Sequence, residues 1–320
     1  MTDPIAVEVI RNGFVESVHH ARAVVTAADG SVAYGFGDVE TPMYPRSSSK
    51  PMQAVGMLRL GLDLDGELLA LAAASHSGEA FHREGVRRIL AGVGLDEQAL
   101  QNTPDLPIDE QAKIDWIREG HGPERIAMNC SGKHGAMIAT AVNAGHDHQN
   151  YLAVDHPVQQ EILAAIADLS GDAVSHPTID GCGAPLVAVP LSGLARAFGR
   201  IAAATGGPER RLADAYRTHP EWASGTRRDE VELHRAIPGL VCKAGAEAVH
   251  AIGLPDGRGI ALKISDGTPR ARAGLAAGIL MLLGYEHPTL DAHAHEPVLG
   301  HGEPVGEIRP VGDLAALLGI

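Results

Sequence analysis

Aromatic side chains are scarce: four Phe, five Tyr and two Trp make up 3% of the 320 residues. The core must therefore be filled mainly by Ala, Val, Leu and Ile. Basic residues are few as well, 26 Lys and Arg against 40 Asp and Glu, for a net charge of −14. No basic stretch runs along the chain, which argues against nucleic acid or an anionic membrane as the main partner. The acidity reads as solubility. Cysteine is limited to Cys130, Cys182 and Cys242, and an odd, sparse set excludes a disulfide framework. Long apolar runs are missing too. None reaches the roughly 18–20 residues of a membrane span, and the richest, Ala271 to Leu283, reads as a buried helix. Met1 to Arg11 carries no basic segment followed by an apolar run. No targeting segment is expected, and the cytoplasm is the expected compartment.

What is present is 45% apolar residues in a chain long enough for one large domain or two ordinary ones. The first forty residues read as strands. Ile5 to Ile10, Phe14 to His20 and Arg22 to Thr26 are β-prone, broken at Asn12-Gly13, and Asp29-Gly30 marks a hairpin into Ser31 to Tyr34. Helical patterns follow from Ser47 toward Leu60, over Glu67 to Ala74 and over His82 to Gly92. The middle is mostly helical. Near the C-terminus Ala246 to Gly253 and Gly259 to Ser265 read as strands joined by Pro255-Asp256-Gly257. The tail after His287 is rich in Gly, His and Pro and ends in a short helix near Asp313 to Leu318. Strands thus gather at both ends of the chain. The economical arrangement is one α/β (α+β) unit spanning 1–320. Its terminal strands pair in an antiparallel sheet packed by helices, and a mainly helical portion, about 47–240, is inserted between them.

Arg46-Ser47-Ser48-Ser49-Lys50-Pro51 stands before the first apolar helix. Serines there commonly serve as N-caps. Proline is tolerated only in the first turn of a helix, so the helix is expected to start close to Ser47. Lys50 then lies on the same face as Ser47, while Ser48 and Ser49 point elsewhere. A serine hydroxyl needs a neighbour to take its proton, and a desolvated lysine can do so. The helix N-terminus disfavours an ammonium and favours an oxyanion.

Ala74-Ser75-His76-Ser77-Gly78-Glu79 ends the second helix, and Lys243-Ala244-Gly245 opens a strand. S-x-x-K, a serine turn and K-x-G follow the order found in penicillin-binding proteins and serine β-lactamases, although Ala244 replaces the usual hydroxyl. Asn129-Cys130-Ser131-Gly132-Lys133-His134 precedes another helix. Asp180-Gly181-Cys182-Gly183-Ala184-Pro185 is a tight loop whose glycines allow close backbone approach. These two cysteines fit three readings: core residues, a metal pair, or a nucleophile with His134. Two thiolates suit zinc, and from spacing alone His134 is the obvious third ligand. Cys242 reads as a core residue.

R-S-S-S-K-P-M-Q-A, A-S-H-S-G-E, N-C-S-G-K-H-G-A-M and D-G-C-G-A-P together resemble the asparaginase II family, the class 3 or rhizobial-type L-asparaginases, from about residue 5 to about 285. The resemblance implies a fold like that of serine β-lactamases, penicillin-binding proteins and serine-dependent glutaminases. It implies hydrolysis of L-asparagine to L-aspartate and ammonia by two Ser–Lys pairs, Ser47 with Lys50 and Ser75 with Lys243. It also implies zinc held by Cys130, Cys182 and Lys133, in place of His134, and a homodimer. Arg46, Asn129, His134 and Asp180 stand beside these residues as candidate substrate contacts. Other outcomes of the same motifs are a serine amidohydrolase acting on glutamine or a β-lactam, or a zinc-containing binding protein without activity.

Overall fold

The computed structural model describes residues 3–320. In chain order the elements begin with β1 (Ile5–Arg11), β2 (Phe14–Thr26), β3 (Val32–Phe36), α1 (Lys50–Arg59), α2 (Gly66–Ala72) and α3 (Ala80–Ala91). Then come α4 (Glu110–Arg118), α5 (Ser131–Asn143), α6 (Pro157–Ser170), β4 (Ser175–Ile179), β5 (Pro185–Ala188) and α7 (Leu191–Ala203). The chain continues through α8 (Gly207–Thr218), α9 (Pro220–Ala223), α10 (Asp229–Ala236), β6 (Val241–Gly245), β7 (Val249–Gly253) and β8 (Gly259–Ile264). It closes with α11 (Arg272–Leu282), α12 (Pro288–Ala294), β9 (Glu296–Gly300), β10 (Glu303–Pro310) and α13 (Leu314–Leu318). These fall into two compact units. One comprises Met1–Ser48, Val189–Ala203 and Glu232–Ile320; the other comprises Ser49–Ala188 and Ala204–Val231.

The first unit is built on an antiparallel sheet of order β6-β7-β8-β2-β1-β10-β9, with β3 also paired to β2. It is the antiparallel sheet expected from strands at both chain ends. β2 is one continuous strand through Ala21, where two runs are expected from the sequence. Its first half pairs β1, and its second half pairs β8, with Val24 opposite Ala261. Ala21, Ala23, Val25, Ile260, Leu262 and Ile264 turn one face of the sheet toward a buried cluster that includes Leu275, Ala276, Ile279 and Leu280 of α11. α7 packs on β2, β7 and β8. A Cβ on Gly259 would stand 1.9 Å from Ala195 O, and one on Gly253 2.0 Å from Phe198 O. Glycine thus lets a helix press directly on the strands, a dense solution for a chain poor in bulky side chains.

The tail departs from expectation. Beyond α12 it forms a β9–β10 hairpin, and β10 pairs β1 with Ile308 opposite Val9. The helical unit packs α1 on α6 so closely that a Cβ on Gly56 would meet Ile162 Cα at 2.8 Å. Every residue of α1 from Lys50 to Leu58 is buried. A two-stranded β4–β5 hairpin carries the chain through the Cys182 loop. Among the described residues no helix is long and apolar enough to cross a membrane.

Candidate active site

The Ser47 turn is not the start of an α-helix. Arg46–Ser49 form a 3-10 turn, and α1 begins only at Lys50, with Pro51 in its first turn. The correction has a local cause. Ser48 N–H and Ser48 Oγ both bond Pro45 O, at 3.1 and 2.6 Å, which closes an i→i+3 turn. Three residues per turn still returns position 50 to the side of position 47. Arg46 adopts a left-handed backbone, φ 51°, a conformation that costs a non-glycine residue roughly 1–2 kcal/mol. The three serines are no longer equivalent. Ser48 is buried and bonded to Pro45 O, and Ser49 is buried and accepts from Gln53 Nε2 at 2.9 Å, whereas Ser47 is half-buried.

Lys243 lies in the middle of β6, not at its opening, and is fully buried, its Nζ donating to Ala244 O at 2.7 Å. Gly245 explains the K-x-G pattern. A Cβ there would stand 2.7 Å from Pro45 O and 3.0 Å from Ser48 N. Only glycine lets the end of β6 lie flat against the Ser47 turn. Ser47, Arg46 and Lys243 thus belong to the sheet unit.

The remaining residues picked out by the motifs belong to the helical unit. Lys50 is buried at the start of α1, and its Nζ donates to Ala74 O at 2.6 Å, Ser75 Oγ at 2.9 Å and Cys130 Sγ at 3.2 Å. One amine thus ties the serine turn to the first cysteine. Neighbouring residues hold that turn in place. His76 N–H donates to Asn129 O, and Gly78 N–H donates to His76 Nδ1, which leaves the proton on Nε2 for Ser131 Oγ at 2.8 Å. Ser131 Oγ in turn donates to Ile126 O. Burial holds His76 well below the usual histidine range. His82 stacks on it at 5.0 Å and is lowered to about 4, again chiefly by burial. This His76–Ser131 clamp is absent from the sequence reading, where His76 is only a spacer.

Cys130 caps α5, and Gly132 allows that helix to approach α2: a Cβ on it would stand 2.5 Å from Leu71 O. Cys182 sits in a turn closed by Asp180 N–H to Ala184 O and Gly183 N–H to Asp180 O, with Gly183 at φ 92°. Asp180 Oδ1 is occupied by Gly181 N–H at 2.8 Å. The neighbouring Cys182 sulfur and burial hold the Cys130 thiol well above its usual range, while Cys130, the Lys133 ammonium and His134 lower Cys182. Lys133 Nζ donates to Cys182 Sγ at 3.3 Å. Burial alone pulls Lys133 down, but the neighbouring sulfurs outweigh it and its pKa rises. Asn129 Oδ1 accepts from Cys130 Sγ at 3.0 Å. His134 meets the Tyr151 hydroxyl instead of solvent.

This donor set suits a thiophilic cation. Two buried sulfurs each accept from a buried lysine amine, Cys130 from Lys50 and Cys182 from Lys133, and a metal ion takes the place of such protons. Among the described residues no group of three His, Cys, Asp or Glu side chains forms a metal site. Lys133 Nζ stands against Cys182 Sγ at 3.3 Å, while His134 Nδ1 stands against the Tyr151 hydroxyl.

The sheet unit thus carries a half-buried serine on a turn with a left-handed Arg46, and the helical unit carries a buried lysine bonded to a second serine and to a cysteine. Comparison with family models gives the particular family: residues 7–310 match that of L-asparaginase II. The chain belongs to the L-asparaginase II family. The match runs beyond residue 285, where the sequence resemblance ends, through both strands of the tail. No curated protein matches the chain. Similar solved structures include Mglu in its native form, 14% identical, with a TM-score of 0.47 over 83% of this chain and 65% of that one. A β-lactamase from Mycobacterium bovis, Mb2281c, is 14% identical, with a TM-score of 0.41 over 78% of this chain and 88% of its own. EstCE1, a hydrolase with promiscuous acyltransferase activity, is 12% identical, with a TM-score of 0.37 over 76% and 88%. The chain spans less than two thirds of the Mglu chain, 65% of its length.

Proposed function

We propose that the protein hydrolyses the side-chain amide of L-asparagine to L-aspartate and ammonia through an acyl-enzyme on Ser47. The observation that carries this reading is the buried Lys50 amine. It follows Ser47 by three residues and already donates to a second serine hydroxyl, Ser75, at 2.9 Å. A lysine so placed takes the serine proton when neutral. Ser47 Oγ attacks the amide carbonyl, and the proposed oxyanion donors are backbone N–H groups near the start of α1. Ammonia leaves with a proton passed through Lys50, Ser75 and Lys243, and water then releases the acyl group.

Cys130, Cys182 and Lys133 are the residues that would hold zinc, with Asn129 bonded to the first of them. When bound there, zinc supplies fixed positive charge to organise the pocket and anchor a carboxylate-bearing substrate. Arg46 and Asp180 are proposed substrate contacts from their places beside the catalytic and metal motifs. A homodimer is proposed from the family.

The test is ammonia release from L-asparagine and L-glutamine, with a chromogenic β-lactam alongside. Ser47→Ala is expected to lose about 10³-fold or more in kcat. Ser48→Ala, which loses one buried hydrogen bond worth about 1 kcal/mol, is expected to stay within severalfold of wild type. Full activity in Ser47→Ala would sink the mechanism. Glutamine or β-lactam turnover in place of asparagine would move the substrate while keeping the chemistry.

A further inference from the structure

Glu79 closes the Ala74–Glu79 motif, and the proposed mechanism leaves it without a task. An acid at a helix N-cap ordinarily serves the N–H groups of its own helix. Glu79 is the N-cap of α3, but its side chain makes no capping bond. Its carboxylate reaches instead across 147 positions of sequence to Thr226. Oε1 accepts the Thr226 backbone N–H and Oε2 accepts the Thr226 hydroxyl, each at 2.9 Å. Both oxygens are thus committed to one residue through charge-assisted hydrogen bonds.

Thr226 belongs to a strap, residues 224–227, that follows α9 and lies on the serine turn. Ser77 N–H donates to Ser224 O at 2.7 Å. A Cβ on Gly225 would stand 1.9 Å from Ser77 Oγ, so the bare backbone of the strap seals that hydroxyl. Ser77 Oγ is buried and has no hydrogen-bond partner. Beyond Thr226, Arg227 Nε donates to Asp109 Oδ2 at 2.9 Å, and Asp109 N–H donates to Ser77 O at 3.1 Å. The other side of the turn is held separately, by His76 N–H to Asn129 O and by Lys50 Nζ to Ala74 O and Ser75 Oγ. The turn is therefore pinned between two walls. Thr226 and Arg227 are exposed, and among the described residues Glu79 is the side chain of the turn that grips the strap.

We infer that Glu79 is a positioning residue: by holding Thr226 it clamps the strap on Ser77 and fixes the turn in which Ser75 meets Lys50. Its effect on turnover rests on the Ser75–Lys50 route proposed above; the clamp itself does not.

The experiment compares full-length wild type, Glu79→Ala and Glu79→Gln by asparagine kinetics and by residue-resolved amide exchange. Glu79→Ala is expected to lose about tenfold to a hundredfold in kcat, the cost of a misplaced group, with KM within about threefold. Its Ser77 amide is expected to exchange about tenfold faster or more. Glu79→Gln keeps an amide oxygen for the Thr226 N–H and an N–H for the Thr226 hydroxyl, and is expected to recover most of both. Unchanged exchange in Glu79→Ala overturns the clamp. Faster exchange with unchanged kcat overturns the positioning role. So does a Glu79→Gln variant as impaired as Glu79→Ala, since charge and not the grip would then be at work. Open-loop exchange at Ser77 in the wild type also overturns the clamp, and that measurement needs no variant to fold. Wild-type protein that turns over neither asparagine, glutamine nor a β-lactam refutes the functional reading, and the exchange rates alone then decide the clamp.

Discussion

At the scale of single residues, the site is held by neutral side chains in places where charge is costly. His76 and His82 stack inside the helical unit, and each loses its proton readily because burial penalises the cation. His82 is lowered to about 4, against about 6.5 for a free histidine. Between those values the unfolded chain takes up a proton that the folded one refuses. Stability is therefore complete above about pH 6.5 and lost as pH falls toward 4, by up to about 1.4 kcal/mol per pH unit for each histidine. Thermal midpoints measured from pH 7 to pH 4.5 check this, and His82→Gln is expected to flatten the slope. An unchanged slope would assign acid sensitivity to other groups. Much of the residue-level detail was legible beforehand. Pro51 correctly pointed to a first turn, and the glycines flanking Cys182 marked a tight loop. Tyr151 was not legible, because it sits among polar residues in a connecting segment and its partner is remote.

At the scale of elements, the strands at the N-terminus and at β7–β8 were readable from their apolar runs and turn residues. The β9–β10 hairpin was not. Pro297, Pro304 and Pro310 lie in those strands, and proline ordinarily argues against a strand because it lacks an N–H. Here β9 closes the sheet path, next to β10. β10 nonetheless contributes to the core through Ile308, 6% exposed and opposite Val9. Ile308→Ala is expected to cost about 2–5 kcal/mol, measured by urea denaturation, although the residue lies far along the chain from every motif. A loss below about 0.5 kcal/mol would show that β10 is an ornament of the sheet, since that is the scale of an ordinary surface substitution.

At the scale of the whole molecule, sequence neighbours and structural neighbours part company. The sheet unit is assembled from three separate stretches of chain, and the helical unit from two. Clustering of strands at both ends revealed that the ends meet, but α7 joins the sheet from the middle of the helical run. Its apolar face resembles that of any amphipathic helix, so nothing local assigns it to one unit or the other. A fragment ending at residue 240 keeps β1, β2 and β3 but lacks β8 and β10, which pair with β2 and β1. It is expected to show no slow amide exchange at Val7, Val9 or Val24, and protection there at the level of the full chain would contradict the assignment.

The β2–β8 pairing also imposes a schedule on biosynthesis. The partner strand begins about 230 residues after β2 ends, which at 5–20 residues per second is roughly 10–50 s of translation. For that interval Val24 and Val25 can pair only with β3 on one edge, and the edge that β8 takes stays open. The first strands made are thus among the last to be sheltered, and the time of greatest exposure to aggregation falls before the ribosome has released the chain.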